Sequence, residues 1–222
     1  MDARLESIDR AATLQYLSYH GSFLPDGIRE DLDRCETLML RTARPRIVWR
    51  MFKILPQGML EGADYRPGGE NIRAFLNDCD SVVILAATLG AEAESLIRRA
   101  AVRNISDGVI LDAAGSAAIE AVCDNFCADL AAELAPRFLT DRFSPGYGDM
   151  PLSDQRAIFH LLDVSRRIGV SLSESNLMIP QKSVTALIGV SDRQQPRRGR
   201  GCEVCANFEN CAYRKEGKSC GQ

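Results

Sequence analysis

The feature that most constrains this chain is the run SVVILAA at residues 81–87. It is short, continuous, rich in β-branched side chains and free of charge, the pattern of a fully buried strand. Such a strand needs partners in a sheet and cover over its faces, and both are legible nearby. Residues 47–55 read as a strand interrupted by Arg50 and Lys53, and residues 184–190 as another. Helical periodicity marks 4–18, 26–42 and 70–78, where Ile72, Phe75 and Leu76 recur at i, i+3 and i+4. A helix is predicted from Gly90 to about residue 104, and a long alanine-rich one over 108–135, stopped by Pro136. Ser153 is the predicted N-cap of a further helix running to about Arg167, with Gly169 just beyond its end. The expected fold is α+β: a twisted, mainly antiparallel sheet bounded by helices, with a small Cys-rich C-terminal tail.

Composition narrows the function classes. The chain has 222 residues, 45% hydrophobic and 26% charged, which suits one domain with a small appendage. A net charge of −3 argues against binding nucleic acid by bulk electrostatics. No apolar run approaches the ~18–20 residues that span a bilayer, and the charged N-terminus is unlike a signal peptide, so a cytoplasmic protein without a membrane partner is expected. Residues from Arg193 onward carry seven Lys/Arg against three Asp/Glu, so the end of the chain is basic and the remainder acidic. The expected division is a body over 1–191, a polar linker over 192–201 and a cysteine tail over 202–222.

Four of the eight cysteines, Cys202, Cys205, Cys211 and Cys220, crowd into that tail with the spacing C-x2-C-x5-C-x8-C. In a reducing compartment this suggests one metal or cluster site. Four thiolates suit a tetrahedral zinc or an iron–sulfur cluster, and the spacing leaves both open, with free thiols a third reading. Cys35, Cys79, Cys123 and Cys127 lie in apolar surroundings and read as small core residues.

The usual signatures of dinucleotide-binding, P-loop, serine-hydrolase and zinc-peptidase chemistry are missing. Three other stretches carry signal. On the alanine-rich helix, Asp112, Ser116, Glu120 and Asp124 recur every four residues and share one face. A solvated acidic stripe is the plain reading, but Ala113, Ala114 and Gly115 beside it permit close approach. The loop RFSPGYGD at 142–149 couples Arg142, suited to a carboxylate, with Tyr147, whose ring suits a cation or a base. A simple turn would also explain it. The third stretch, Ser173-Glu174-Ser175 followed by Met178, Pro180 and Lys182, reads by spacing alone as a polar strand edge.

Together these stretches resemble a known family. RFSPGYGD, then LSESNLMIPQKSVTALIG after one intervening helix, is similar to the activation domain of vitamin B12-dependent methionine synthase. AATLGAEAE and DAAGSAAIEAVCD resemble short, free-standing members of the same family, so the likeness spans roughly 5–190. The resemblance implies S-adenosylmethionine binding by Arg142, Ser144, Gly146 and Tyr147, with Glu120 as the carboxylate on the preceding helix and Glu174 as the matching glutamate of the hairpin segment. One departure is Gly148-Asp149, where methionine synthases carry a proline-and-cysteine run.

The implied activity is reductive remethylation of a corrinoid-dependent methyltransferase, with methionine synthase the expected partner. The chain has no D-x-H-x-x-G pattern, so cobalamin is expected on that partner. An electron donor is also implied, and the need for one electron favours a cluster over zinc in the tail. Two rival readings are a non-catalytic module that only senses adenosylmethionine and an iron–sulfur electron carrier that docks a corrinoid protein.

Overall fold

The run at 81–87 forms the centre of the sheet. In a computed structural model describing residues 3–19, 21 and 23–194, it becomes β2 (Ser81–Thr88), with all eight residues buried. β2 pairs antiparallel with β1 (Arg46–Lys53) on one side and β6 (Ser183–Ser191) on the other. β3 (Phe138–Phe143) completes the sheet beyond β6, giving the order β1-β2-β6-β3 with every pair antiparallel.

Because side chains alternate along a strand, a strand without charge requires cover on both faces. Val83, Leu85 and Ala87 of β2, with Ala186, Ile188 and Val190 of β6, pack against α2 (Asp26–Thr42) and α5 (Ile105–Glu133). Val82, Ile84 and Ala86, with Leu187, pack on the opposite face. Their cover is α3 (Glu70–Phe75), α6 (Asp154–Leu162) and α7 (Val164–Ile168). A short hairpin of β4 (Ser171–Leu172) and β5 (Met178–Ile179) leads into β6.

The alanine-rich segment forms α5, and α4 (Ala91–Arg103) packs on it. Their approach is set at Gly108, where a Cβ would lie 2.6 Å from the Cα of Ala101. Only a residue without a side chain fits there. Asn104 caps α5 by accepting a hydrogen bond from the Ser106 amide at 3.1 Å.

Several local expectations are corrected. The helix predicted over 4–18 is confined to α1 (Arg10–Tyr16), capped by Asp9, whose carboxylate accepts from the Ala11 amide. Upstream of that cap the chain is held against α5 by Arg4 on Asp129 at 2.5 Å and by Asn125 on the Arg4 carbonyl. The helix predicted from Ser153 is two helices, because Asp163 takes left-handed backbone between α6 and α7. Aspartate is among the few residues that tolerate this. Ser153 makes no side-chain cap bond, whereas Gly169 does end α7 in left-handed backbone. Arg142, read as the start of a loop, lies in β3.

Cys35, Cys79 and Cys123 are buried as expected, but Cys127 is only partly so. The greater part of the linker and all four tail cysteines lie outside the described residues. Among the described residues no helix is long and apolar enough to cross a membrane.

Candidate functional site

The pairing of β3 with β6 starts at Ser191 and stops at Leu187, opposite Phe143. β6 extends four residues further, so its edge over residues 183–186 is left uncovered by β3. A cleft of about 980 Å³ opens there, walled by α1, α5, the end of β3, the following loop and α6. That volume is in the range that takes a small organic ligand.

A bulge aims the central cation into this cleft. The β3–β6 register shifts between Leu139 and Arg142, and the Thr140 hydroxyl accepts the Gly189 amide at 2.8 Å. Bulges of this kind redirect side chains at sheet edges. The Arg142 guanidinium thereby reaches α5, donating to Glu120 at 2.6 Å from Nη2 and to Asp124 at 2.6 Å from Nη1. Nη1 also lies 3.7 Å from the Cys127 sulfur. Burial acts to lower the basicity of Arg142, but the neighbouring Cys123 and Cys127 thiols, ionised only at the high pH where a guanidinium titrates, and its bond to Asp124 outweigh that and hold it above its ordinary value. Burial pushes the thiols of Cys123, to about 12, and Cys127 upward, so both are neutral near pH 7.

The cleft lining carries three carboxylates, Glu120, Asp124 and Asp141, against one guanidinium. Such a site has room for further positive charge. Aromatic rings supply the rest of its character. Phe75 and Phe143 meet at 5.2 Å between centroids, Phe143 and Tyr147 at 6.3 Å edge to face, and Tyr16 enters from α1. Burial, followed by the nearby Glu120 charge, raises the Tyr16 hydroxyl above its ordinary value, so it stays protonated.

The loop after β3 is shaped by its glycines. Gly146 has φ of 92° and its amide bonds the Met150 carbonyl at 3.0 Å, closing a turn that leaves Tyr147 exposed. Asp149, in the stretch that departs from the methionine synthase pattern, does not line the cleft. Its carboxylate accepts from the amides of Glu70 at 2.7 Å and Asn71 at 3.0 Å, so it caps α3 from a distant part of the chain. Those backbone donors, Asn71 first, stabilise the carboxylate and hold its pKa below the usual carboxylate value. Gly69 makes room, because a Cβ there would lie 2.5 Å from an Asp149 oxygen.

Of the residues singled out in the sequence, Arg142, Ser144, Tyr147 and Glu120 line the cleft, and Gly146 shapes its loop. Glu174 does not line it. Its backbone carbonyl accepts from Arg156 in the turn of the β4–β5 hairpin. Several lining residues had no sequence signal of their own, notably Tyr16, Gln155 and Thr185. Asp124 was legible as a member of the four-residue ladder, and Cys127 lies one turn beyond it. Among the described residues no group of His, Cys, Asp or Glu could hold a metal ion.

Fold and site together define an α+β protein with a charged, aromatic cleft at a sheet edge. Residues 125–195, which hold the end of α5, β3, the glycine loop and β6, match the family model described as vitamin B12 dependent methionine synthase, activation domain. The chain therefore resembles that domain at the stretch that builds the cleft. A solved structure described as the crystal structure of the MetH reactivation domain bound to AdoHcy matches with a TM-score of 0.58 and 18% identity. The match covers 85% of this chain and 75% of that one. At that identity the likeness establishes the fold. No curated protein matches the chain.

Proposed function

We propose that the cleft binds S-adenosylmethionine and that the chain serves reductive reactivation of a cobalamin-dependent methyltransferase, methionine synthase being the favoured partner. The observation that carries this reading is the Arg142–Glu120–Asp124 cluster, set among aromatic rings in the segment that matches the activation-domain family. An amino-acid end carries a carboxylate and an ammonium, which suit the guanidinium and the two helix carboxylates respectively. The surplus of carboxylates favours a ligand that also carries a sulfonium, and Tyr147 offers its ring to the same charge. The exposed ring of Tyr147 and the open sheet edge leave one side of the cleft accessible to a partner.

Cobalamin on that partner would supply a reduced cobalt that takes the methyl group, leaving S-adenosylhomocysteine in the cleft. This chain's contribution is then positional: Arg142 and Glu120 orient the amino-acid end, while Ser144, Gly146 and Tyr147 shape the wall against which the methyl is presented. The electron is assigned to a separate one-electron donor or to a cluster on Cys202, Cys205, Cys211 and Cys220. Metal and sulfide analysis of the whole chain separates cluster, zinc and free thiol. A cytoplasmic setting is part of the same proposal.

The primary test is calorimetric titration of the full chain with S-adenosylmethionine and S-adenosylhomocysteine, followed by methyl transfer to a cobalt(II) corrinoid protein under a chemical reductant. Binding and methylation are expected. Binding without methylation of any corrinoid partner would leave a sensor, and no binding would remove the reading altogether.

A further inference from the structure

We infer that Gln155 is a specificity residue of the cleft, donating from its Nε2 to an acceptor nitrogen on the purine ring of the bound adenosyl group. The inference rests on the adenosylmethionine reading above. Gln155 sits in the first turn of α6, lines the cleft and is only 5% exposed. Its carboxamide oxygen accepts the Thr185 hydroxyl at 2.9 Å, and Thr185 itself is 1% exposed, so this half of the side chain is anchored to β6. Its backbone amide is used by the Leu152 carbonyl. The two N–H groups of Nε2 have no partner among the described residues. A buried amide donor without an acceptor is costly, and such groups are rare in folded proteins unless a ligand or water meets them.

The position of this donor tells what it meets. The cleft straddles the uncovered edge of β6, with Arg142 reaching α5 on one side and Gln155 entering from α6 on the other. The amino-acid end of the ligand is committed to the α5 side by charge. The α6 side offers the paired rings of Phe75 and Phe143, which suit a flat heterocycle. The adenine of an adenosyl group presents N1, N3 and N7 along its edges, and those ring nitrogens are acceptors only. A fixed amide donor beside aromatic rings is therefore suited to read the base. Thr185 orients the amide, since its hydroxyl bond to Oε1 turns Nε2 outward.

The test is a coupling measurement on the full chain. Wild type, Gln155→Leu and Gln155→Glu are titrated with S-adenosylhomocysteine and with its 1-deaza, 3-deaza and 7-deaza purine analogues. Gln155→Leu is expected to weaken S-adenosylhomocysteine about tenfold. One deaza analogue should weaken wild type by a similar factor and suffer no further loss in the variant, because both changes remove the same bond. Gln155→Glu should behave like Gln155→Leu, as it still accepts from Thr185 but has no N–H to donate. This near-isosteric variant carries the test if the leucine variant does not fold. Unchanged affinity in the variants, or an equal loss for the parent ligand and all three analogues, overturns the assignment. If wild type binds no adenosyl ligand at all, the adenosylmethionine reading falls with it. Binding without coupling removes Gln155 alone.

Discussion

The two halves of the acidic ladder on α5 have the same spacing and different work. In the upper half, Asp112 and Ser116 both hold Lys182, at 2.9 and 2.8 Å. In the lower half, Glu120 and Asp124 both hold Arg142. Each half pairs one cation with two acceptors one helical turn apart. The lysine lies flat across the helix over Gly115, where a Cβ would come within 3.3 Å of its stem. It pins the segment entering β6, whose neighbour Gln181 is tied to Glu94 through its amide. The arginine instead arrives from a bulged strand and lines an open cleft. A repeated charge pattern on a helix thus marks where cations will land, while the element delivering each cation decides whether the pair is a clasp or a site.

Removing the arginine tests the comparison most severely. Arg142→Ala is expected to weaken S-adenosylhomocysteine by roughly 1.5–3 kcal/mol, the scale of charge-assisted hydrogen bonds lost from a partly buried site. Calorimetry, with circular dichroism as the check on folding, measures it. Unchanged affinity would mean the lower half is a clasp as well.

Lys182→Met keeps the stem on Gly115 and removes the charge. Its expected effect falls on stability alone, about 0.5–1 kcal/mol because Asp112 is half-exposed, or roughly 1–4 °C in Tm. Ligand affinity should stay within about twofold. A loss of binding comparable to that of Arg142→Ala would show that the ladder acts as one unit.

The smallest effect concerns the loop that carries the lower half's aromatic wall. Asp149 is a carboxylate held below its ordinary value by the α3 amides, so its contribution is present above the unfolded value near pH ~4 and is lost as pH falls through the lower folded value. Asp149→Ala should therefore melt below wild type at neutral pH, with the difference closing in acid. A constant difference across that range would show that the carboxylate charge has no part in the cap.

Much of the fold could be read directly because the signals were local and redundant. β2, α4 and α5 were each marked by an uninterrupted pattern bounded by glycine, asparagine or proline. β3 was not legible. Thr140 and Asp141 carry no strand pattern and Arg142 reads as the start of a loop, so the strand exists because β6 offers an edge to pair with. The short α1 illustrates the same override, since an ion pair and an amide hydrogen bond to α5 hold the preceding residues out of the helix.

The residue types of the site were set by the sequence alone: one arginine beside glycines and an aromatic, and a ladder of acids on a helix long enough to carry it. Periodicity places those acids on one face because the α-helix repeats every 3.6 residues. Which acids meet Arg142, and that Asp149 serves a helix terminus rather than a ligand, was decided only in the tertiary structure. So was the arrival of Gln155 at the cleft from a separate helix. These depend on contacts between segments distant in the chain, and no local pattern records them, because the bulge in β3 and the uncovered edge of β6 arise only when the sheet is assembled.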